Sequence, residues 1–164
     1  MESLRGILNK PLINIQNGKM HYIKNAVFDS SMSYIQLLVL TDKFSVGKEY
    51  VIKISDIKAV GPDALVANGP VMDSETFKGN IYQLLGADIY NQVGVKLGVL
   101  KDIYLNDFKV SYILMNESEM IYPSNIISSG NRLLITDIPQ KLQVKKNLAE
   151  TQHQNPDYQI EAQE

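Results

Sequence analysis

The chain holds few residues whose types and spacing suit catalysis. Among its 164 residues are two histidines, His21 and His153, and no cysteine. A Ser-His-Asp triad needs a histidine that is held by an acid and faces a nucleophile. Asp29 follows His21 along the chain, but no nucleophile elbow accompanies this pair. We therefore interpret His21 as a surface or turn residue near the start of a strand, and His153 as part of a terminal tail.

Metal and cofactor chemistry has equally little support. Without cysteine, the chain has no disulfide, no thiolate nucleophile and no thiolate ligand for zinc. Two isolated histidines also argue against a transition-metal site. The sequence therefore predicts no catalytic, cofactor-binding or metal-binding residues, and we do not expect an enzyme.

Two other candidates have a chemical and a structural interpretation. Asp102 and Asp107 could act as a paired acid and base, but we expect them to cap a hairpin and stay solvated. The glycines of Gly94-Val95-Lys96-Leu97-Gly98 could cradle a phosphate, yet a P-loop needs a following helix with Lys-Ser/Thr at its start. A strand pattern follows instead, which predicts a hairpin or a bulge.

Composition limits the class of protein. Hydrophobic residues make up 45% and charged residues 21%, with a net charge of −2. These values fit one globular domain or two very small ones, and they argue against direct binding to nucleic acid or to an anionic membrane. The first residues, MESLRGILNKPL, lack the apolar region of a signal peptide, and the longest apolar run, YIQLLVL at 34–40, is too short to span a bilayer. We therefore expect a cytoplasmic protein.

One phrase occurs twice in the chain and indicates an internal repeat. Three identities are each 69 residues apart: Ser55 with Ser124, Ile57 with Ile126, and Gly61 with Gly130. Upstream, residues 8–14 align with 85–91 at a spacing of 77, and SYI at 33–35 aligns with SYI at 111–113 at a spacing of 78. Insertions confined to loops between patterned segments are typical of a duplicated domain.

Each copy reads as a series of short strands. Alternation and β-forming residues predict strands at 23–29, 33–41, 49–54 and 64–67 in the first copy, and at 97–105, 110–116, 120–123 and 133–136 in the second. The repeated phrase should close each sheet. The serine would begin a turn through its side chain, the isoleucine would anchor it to the core, and the glycine would adopt a positive φ.

These patterns predict an all-β protein made of two tandem small β-barrels, because curling removes the exposed edges of a small sheet. The expected units are residues 1–68, a linker at 69–79, residues 80–140, and a polar tail at 141–164 that forms a short helix or is disordered. Short helical turns are expected at 3–8 and 82–86, ahead of the first strand of each copy.

Three pieces of sequence resemble the PRC-barrel family. They are a leading segment (LLGADIY at 84–90 and ILNKPLI at 7–13), a Gly-x-Lys-x-Gly strand holding an acid (GVKLGVLKDIYLN at 94–106), and a closing segment (IYPSNIISSGNRLLI at 121–135). The first copy departs from this pattern at His21, Asn25 and Ile54, where the second has Gly98, Asp102 and Pro123. The resemblance covers 3–68 and 81–138.

The resemblance implies a tandem PRC-type fold, as in the cytoplasmic barrel of the reaction-centre H subunit and the C-terminal barrel of a ribosome maturation factor. It implies docking to partner proteins and no set of catalytic residues. Stand-alone tandem copies resemble bacterial members of the family, so a bacterial cytoplasmic adaptor is the first hypothesis. The barrels would pack on each other or exchange strands in a homodimer.

Two other functions stay open at this point. One is an accessory role in ribosome assembly or RNA processing, and the other is binding of a small molecule between the barrels. A basic cluster of Lys141, Lys145 and Lys146 could touch an acidic lipid or RNA, although a solvated helix end explains it as well. Tyr104 and Tyr112, on adjoining predicted strands, are expected to pair across them. The adaptor hypothesis predicts an exposed apolar or tyrosine-rich patch between the copies.

Overall fold

The computed structural model describes residues 1–43 and 46–139. The predicted tail at 141–164, with His153 and the three-lysine cluster, lies outside the described residues. The first copy begins with a short strand and one helical turn, followed by six strands and a 3-10 turn. These elements are β1 (Glu2–Ser3), α1 (Leu4–Ile7), β2 (Pro11–Asn14), β3 (Lys19–Phe28), β4 (Ile35–Lys43), β5 (Val46–Lys53), a 3-10 turn (Ile54–Asp56), β6 (Ile57–Val60) and β7 (Leu65–Ala67).

The second copy repeats this series without the leading helix. Its elements follow a linker that itself contains a strand, β8 (Met72–Asp73), and a 3-10 turn (Ser74–Thr76). They are β9 (Asp88–Asn91), β10 (Lys96–Asn106), β11 (Lys109–Met115), β12 (Glu119–Ile121), a 3-10 turn (Pro123–Asn125), β13 (Ile126–Gly130) and β14 (Leu133–Thr136). The helical turn predicted at 3–8 is therefore present as α1, whereas 82–86 is not helical. The predicted domain boundaries stay a prediction.

The two copies have the same strand order, so the internal repeat is a repeat of structure. The first sheet runs β6-β7-β2-β3-β4-β5-β8, and the second runs β13-β14-β9-β10-β11-β12, with β1 added alongside β10. In the first copy β2 pairs in parallel with β7, and in the second copy β9 pairs in parallel with β14. The remaining ladders are antiparallel. The prediction of an all-β fold is confirmed at this level.

The strand registers correct one part of the predicted repeat. Both long strands bulge at equivalent places, between Ile23 and Asn25 and between Leu100 and Asp102. Beyond these bulges, Ala26 pairs with Leu38 and Ile103 pairs with Ile113. The residue equivalent to Leu38 is thus Ile113, 75 positions on. The match of the two SYI tripeptides at a spacing of 78 was wrong, because the turn that precedes β4 is two residues longer in the first copy.

The second sheet must curl, because its two end strands are neighbours in sequence. In the second copy, β12 and β13 are the outermost strands of a six-strand path. A flat sheet would separate them by about 24 Å. Only the five steps from Ile121 to Ile126 join them, and five residues reach at most about 18 Å. Within the described residues no backbone ladder joins β12 to β13, so closed barrels stay a prediction.

The two copies share one hydrophobic core. Buried side chains from both sheets belong to a single contact cluster, which includes Leu38 and Ile52 of the first copy and Ile103 and Ile113 of the second. Two backbone hydrogen bonds also join the sheets, from Ile35 N–H to the Phe108 carbonyl (3.0 Å) and from Val110 N–H to the Ser33 carbonyl (2.8 Å). The copies are therefore packed on each other.

The repeated phrase closes each sheet, but not through the predicted contacts. Each serine lies in a 3-10 turn. In the first copy the residue that caps this turn makes no side-chain hydrogen bond to it, and in the second copy Asn125 Oδ1 accepts a hydrogen bond from Tyr122 N–H (3.1 Å). The residues with positive φ are elsewhere, so the prediction for Gly61 and Gly130 was wrong. The two isoleucines are half-buried and pack against the core, as predicted.

None of the helices within residues 1–43 and 46–139 has the length and apolar character needed to cross a bilayer.

Candidate functional site

A wide groove lies between the two copies. It has a volume of 580 Å³ and is lined by Gln36 and by three segments: the end of β3 with the following turn (26–32), the end of the linker with the residues after it (77–84), and β13 (126–129). We call it the inter-repeat groove. No cleft was predicted at defined residues from the sequence, although a site between the copies was one of the open alternatives.

The turn after β3 forms one wall and is held by a single carboxylate. Asp29 Oδ1 accepts hydrogen bonds from Ser33 N–H (2.6 Å) and Tyr34 N–H (2.8 Å), and Oδ2 accepts one from the Ser31 hydroxyl. Burial alone would raise the pKa of Asp29, but the hydrogen bonds from Ser31, Tyr34 and Ser33 outweigh it and lower the pKa. The carboxylate is therefore ionised at neutral pH and fixes this turn.

The end of the linker and the first residues of the second copy supply an aromatic wall. Phe77 and Tyr82 both line the groove and are half-buried. Tyr82 is held from two sides, because Asn25 Nδ2 donates to its carbonyl (3.1 Å) and Asn80 Nδ2 donates to its hydroxyl (3.2 Å). Gly79 lies against the Phe77 ring so closely that a Cβ at residue 79 would overlap it. The linker is thus fitted to the first sheet along this wall.

The third wall is a sheet edge. β13 pairs only with β14 and ends the path of the second sheet within the described chain. Its Ile127 and Ser128 side chains are exposed in the groove, and Ile127 is 46% exposed. An edge strand presents backbone N–H and carbonyl groups to whatever lies beside it. Here that edge faces a space bounded by aromatic and serine side chains.

The repeat produces a second, smaller groove at the equivalent place. It is lined by β6, the turn after β10 and the first two residues of the chain, and its volume is 320 Å³. Lys58 of β6 is the counterpart of Ile127 of β13. The inter-repeat groove is therefore the larger and the more apolar of the pair, because the linker adds aromatic rings and the turn at Asp29 is longer.

His21 is buried, which corrects the prediction of a surface or turn residue. It lies within β3 and is 6% exposed. Its Nε2 is 3.5 Å from Asp42 Oδ1, and its ring meets the Tyr50 ring edge-on at 5.2 Å between centroids. Nδ1 is buried and has no hydrogen-bond partner among the described residues. Burial lowers the pKa of His21, and Asp42 opposes this effect only in part.

Comparison with the second copy explains why a histidine lies here. The positions of His21 and Tyr50 are taken there by Gly98 and Glu119, and the space is filled by Asn116. The Asn116 side chain accepts from Val99 N–H (3.1 Å) and donates to Glu119 (3.1 Å). Both copies thus brace the same end of the β3 or β10 ladder with a polar side chain. His21 has a structural explanation, and its acid partner is Asp42 rather than Asp29.

The carboxylate pair is not brought together as an acid and base. Asp102 was predicted to be solvated, but it is only 7% exposed, within β10. Its Oδ1 accepts from Arg5 N–H (3.1 Å) and from Ile103 N–H (2.8 Å). Asp107 is exposed in the turn between β10 and β11, as predicted, and has a positive φ of 55°. Asp102 therefore fixes the leading segment of the first copy to the second sheet.

Two other predictions are confirmed. Gly94 lies in the tight turn between β9 and β10 with a φ of 85°, so the Gly94–Gly98 segment is a hairpin. Tyr104 and Tyr112 are cross-strand partners whose rings stack at 4.8 Å between centroids. Within residues 1–43 and 46–139, no group of three or more potential ligands is placed to hold a metal ion.

Sequence reasoning missed the inter-repeat groove because its walls come from distant segments. The one available signal was the serine-rich stretch after β3, which the second copy lacks. That stretch by itself predicts only a turn, and its part in a groove depends on the linker reaching across to it.

Comparison with known proteins identifies the second copy. Residues 79–143 match the family model of the PRC-barrel domain. None of the curated proteins compared with the chain matches it. The matched range begins in the linker and ends beyond β14, so it covers strands β9 to β14 of the second sheet. The resemblance stated from three sequence segments is confirmed for this part of the chain.

Proposed function

We propose that this protein, which carries a PRC-barrel domain at residues 79–143, is a non-enzymatic adaptor that binds an extended segment of a partner protein in the inter-repeat groove. The observation that supports this most is the open edge of β13 along a groove of 580 Å³. A partner segment would add a strand to that edge, so that main-chain hydrogen bonds supply affinity. The adaptor is proposed to act in a bacterial cytoplasm.

The lining of the groove supports a peptide with alternating side chains. Phe77, Tyr82 and Ile127 offer apolar contact, while Ser128 and Ser129 offer hydroxyl groups. Aromatic residues are enriched at protein interfaces because they bury a large area and keep a polar atom for hydrogen bonding. Successive residues of an added strand point to opposite faces. One face of the segment would meet the rings, and the other would face solvent.

Barrel closure is part of this proposal. In this proposal each sheet curls until β5 lies near β6 and β12 lies near β13, and the 3-10 turn that separates each pair in sequence spans the seam between them. Because no backbone ladder joins β12 to β13 within the described chain, the β13 edge would stay free to accept a strand. The same arrangement in the first copy leaves β6 beside the smaller groove, which makes that groove a natural internal control.

The test uses a photo-crosslinking amino acid at position 127 and, as the matched control, at position 58. In a native lysate, the adaptor hypothesis predicts crosslinks to a defined partner segment from position 127 and not from position 58. A synthetic peptide of that segment should bind the purified protein, and Ile127→Asp should weaken binding at least tenfold while Lys58→Asp has little effect.

Further results would decide the mode of binding. N-methylation of alternate peptide amides should abolish binding, because a strand added to β13 needs its N–H groups. Equal crosslinking from positions 58 and 127, or full binding by the Ile127→Asp variant, would exclude this groove as the site. Crosslinks to ribosomal proteins would favour the accessory role in ribosome assembly. A rise in melting temperature with a metabolite, lost in Ile127→Asp, would favour a small ligand.

A further inference from the structure

The outer edge of the first sheet is covered by the linker. β8 pairs with β5 in an antiparallel ladder, in which Val51 is opposite Met72 and Tyr50 is opposite Asp73. On the outer face of the sheet, Val27, Val39 and Val51 form a small buried cluster. Met72, Phe77 and Ile81 of the linker region pack over this cluster. A segment that follows the last strand of the copy thus protects both an edge and a face.

The second sheet has the same edge and face without such a cover in the described chain. The strand registers make Tyr104, Leu114 and Met120 the counterparts of the three valines. Here Met120 is 50% exposed, whereas Val51 is 1% exposed. β12 ends the path of the second sheet among residues 1–43 and 46–139, whereas β5 is followed by β8. Exposed apolar edges of this kind are usually covered or paired.

The chain leaves the two sheets along the same route. Asn68 N–H donates to the Asp56 carbonyl (2.8 Å), and Asp137 N–H donates to the Asn125 carbonyl (2.9 Å). Each pair is 69 residues from its counterpart, and Pro70 and Pro139 follow at the same spacing. The described chain therefore leaves the last strand of both copies in the same way as far as Pro70 and Pro139, and after Pro70 it continues to β8 on the edge of β5. The family match also continues past β14 to residue 143.

We propose that residues 140–146 of this chain dock on the second sheet as an added antiparallel strand along β12. In an extended segment, Leu142 and Val144 lie on one face, and Lys141, Gln143 and Lys145 on the other. In the proposed register, Leu142 lies opposite Met120, just as Met72 lies opposite Val51 in the first copy. Leu142 and Val144 then cover the face formed by Tyr104, Tyr112 and Leu114. This register is shifted by one residue from an exact copy of the β8 ladder.

The charges on the two edges also support this pairing, with the signs exchanged between the copies. In the first copy, Lys48 at the start of β5 forms an ion pair with Asp73 of the covering strand (3.0 Å). The counterpart of Lys48 is Glu117, whose side chain is 84% exposed and lies 3.5 Å from Lys101. The proposed segment carries Lys141, Lys145 and Lys146. In the second copy the edge would thus carry the acid and the added strand the bases. In the first copy the edge carries the base and the covering strand the acid.

A disulfide test uses the absence of cysteine from the natural sequence. Met120→Cys is combined with Leu142→Cys, or with Gln163→Cys as the control far along the chain. The 120/142 pair should oxidise to an intrachain disulfide at least ten times faster than the 120/163 pair. Equal rates would overturn the proposal. A disulfide that forms only between chains would assign the edge to a second copy and would also overturn it.

Hydrogen exchange provides an independent measurement on the full chain without new cysteines. Leu142→Asp combined with Val144→Asp should speed amide exchange in β12 about tenfold or more, because both apolar contacts are lost. Gln143→Asp, in the same segment but on the other face, should change it little. Unaltered exchange in the double variant would contradict docking. Met120 is not among the residues that line the inter-repeat groove, so neither result depends on the partner proposed for that groove.

Discussion

Asn25 and Asp102 occupy equivalent positions in the two sheets, and each binds the leading segment of the other copy. Asn25 Nδ2 donates to the Tyr82 carbonyl (3.1 Å), and Asp102 Oδ1 accepts from Arg5 N–H (3.1 Å). Tyr82 and Arg5 are themselves equivalent, 77 residues apart. In the sequence alone, the asparagine and the aspartate mark a departure between the copies. In the structure both side chains have the same role, because each one holds the leading segment of the other copy.

Replacement of Asp102 should therefore destabilise the whole protein. Asp102→Ala leaves the Arg5 and Ile103 N–H groups without their acceptor, and we expect a loss of about 1–3 kcal/mol in the free energy of unfolding. Asp102→Asn keeps an acceptor oxygen and should cost less. Urea denaturation of the three proteins measures both. An aspartate-to-alanine change without effect would show that this contact contributes nothing to joining the copies.

Stability should fall below neutral pH through His21. Its pKa is lowered mainly by burial, so the folded protein holds the proton less tightly than the unfolded chain, whose histidine has a pKa near 6.5. The stabilisation is complete above pH 6.5 and is lost as the pH falls towards the lowered value. Melting temperatures measured between pH 7.5 and 5 should drop more for the natural protein than for His21→Phe. Identical profiles would rule out His21 as the cause.

The Tyr104–Tyr112 stack should be measurable as a coupling energy. Stacked aromatic pairs contribute about 0.5–1.5 kcal/mol beyond the area they bury. A double-mutant cycle with Tyr104→Leu and Tyr112→Leu should give a coupling in this range. The equivalent pair in the first copy, Val27 and Leu37, provides an aliphatic reference cycle with a smaller coupling. If the two cycles gave equal values, the rings would be acting only through their area.

The two copies should unfold as one unit, because they share a core. Leu38→Ala and Ile113→Ala remove equivalent buried side chains, and each should cost about 2–5 kcal/mol. Both variants should show a single transition, with hydrogen exchange in the two sheets accelerated together. Exchange accelerated only in the altered copy would instead show two independent folding units.

Much of the fold was predictable because both copies of the repeat show local sequence patterns typical of strands and turns. Alternating apolar residues and turn residues predicted strands close to β3, β5, β10 and β11. The register of β4 was not predictable, since the SYI tripeptide occurs in both copies but three positions out of structural register. The turn around Asp29, which is two residues longer in the first copy, accounts for two of these three positions, and only the strand pairing reveals it.

The sites were less predictable, because they depend on segments far apart in sequence. The burial of His21 comes from Asp42 and Tyr50 on the two following strands. The positive φ expected at Gly61 is absent, because its N–H closes a short turn with the Ala64 carbonyl (2.9 Å). The inter-repeat groove needs the linker, the turn at Asp29 and β13 together. Local sequence determines the conformation of each wall, but the fold of the whole chain brings the three walls together.

The reciprocal binding of the leading segments has an evolutionary consequence. Each sheet receives its leading segment from the other copy, as happens between the subunits of a twofold-symmetric homodimer that swap an element. A gene encoding one such subunit, duplicated and fused in frame, would yield a chain with this reciprocal contact already in place. Halves fused in this way would be free to diverge, which fits the different sizes of the two grooves, 580 and 320 Å³.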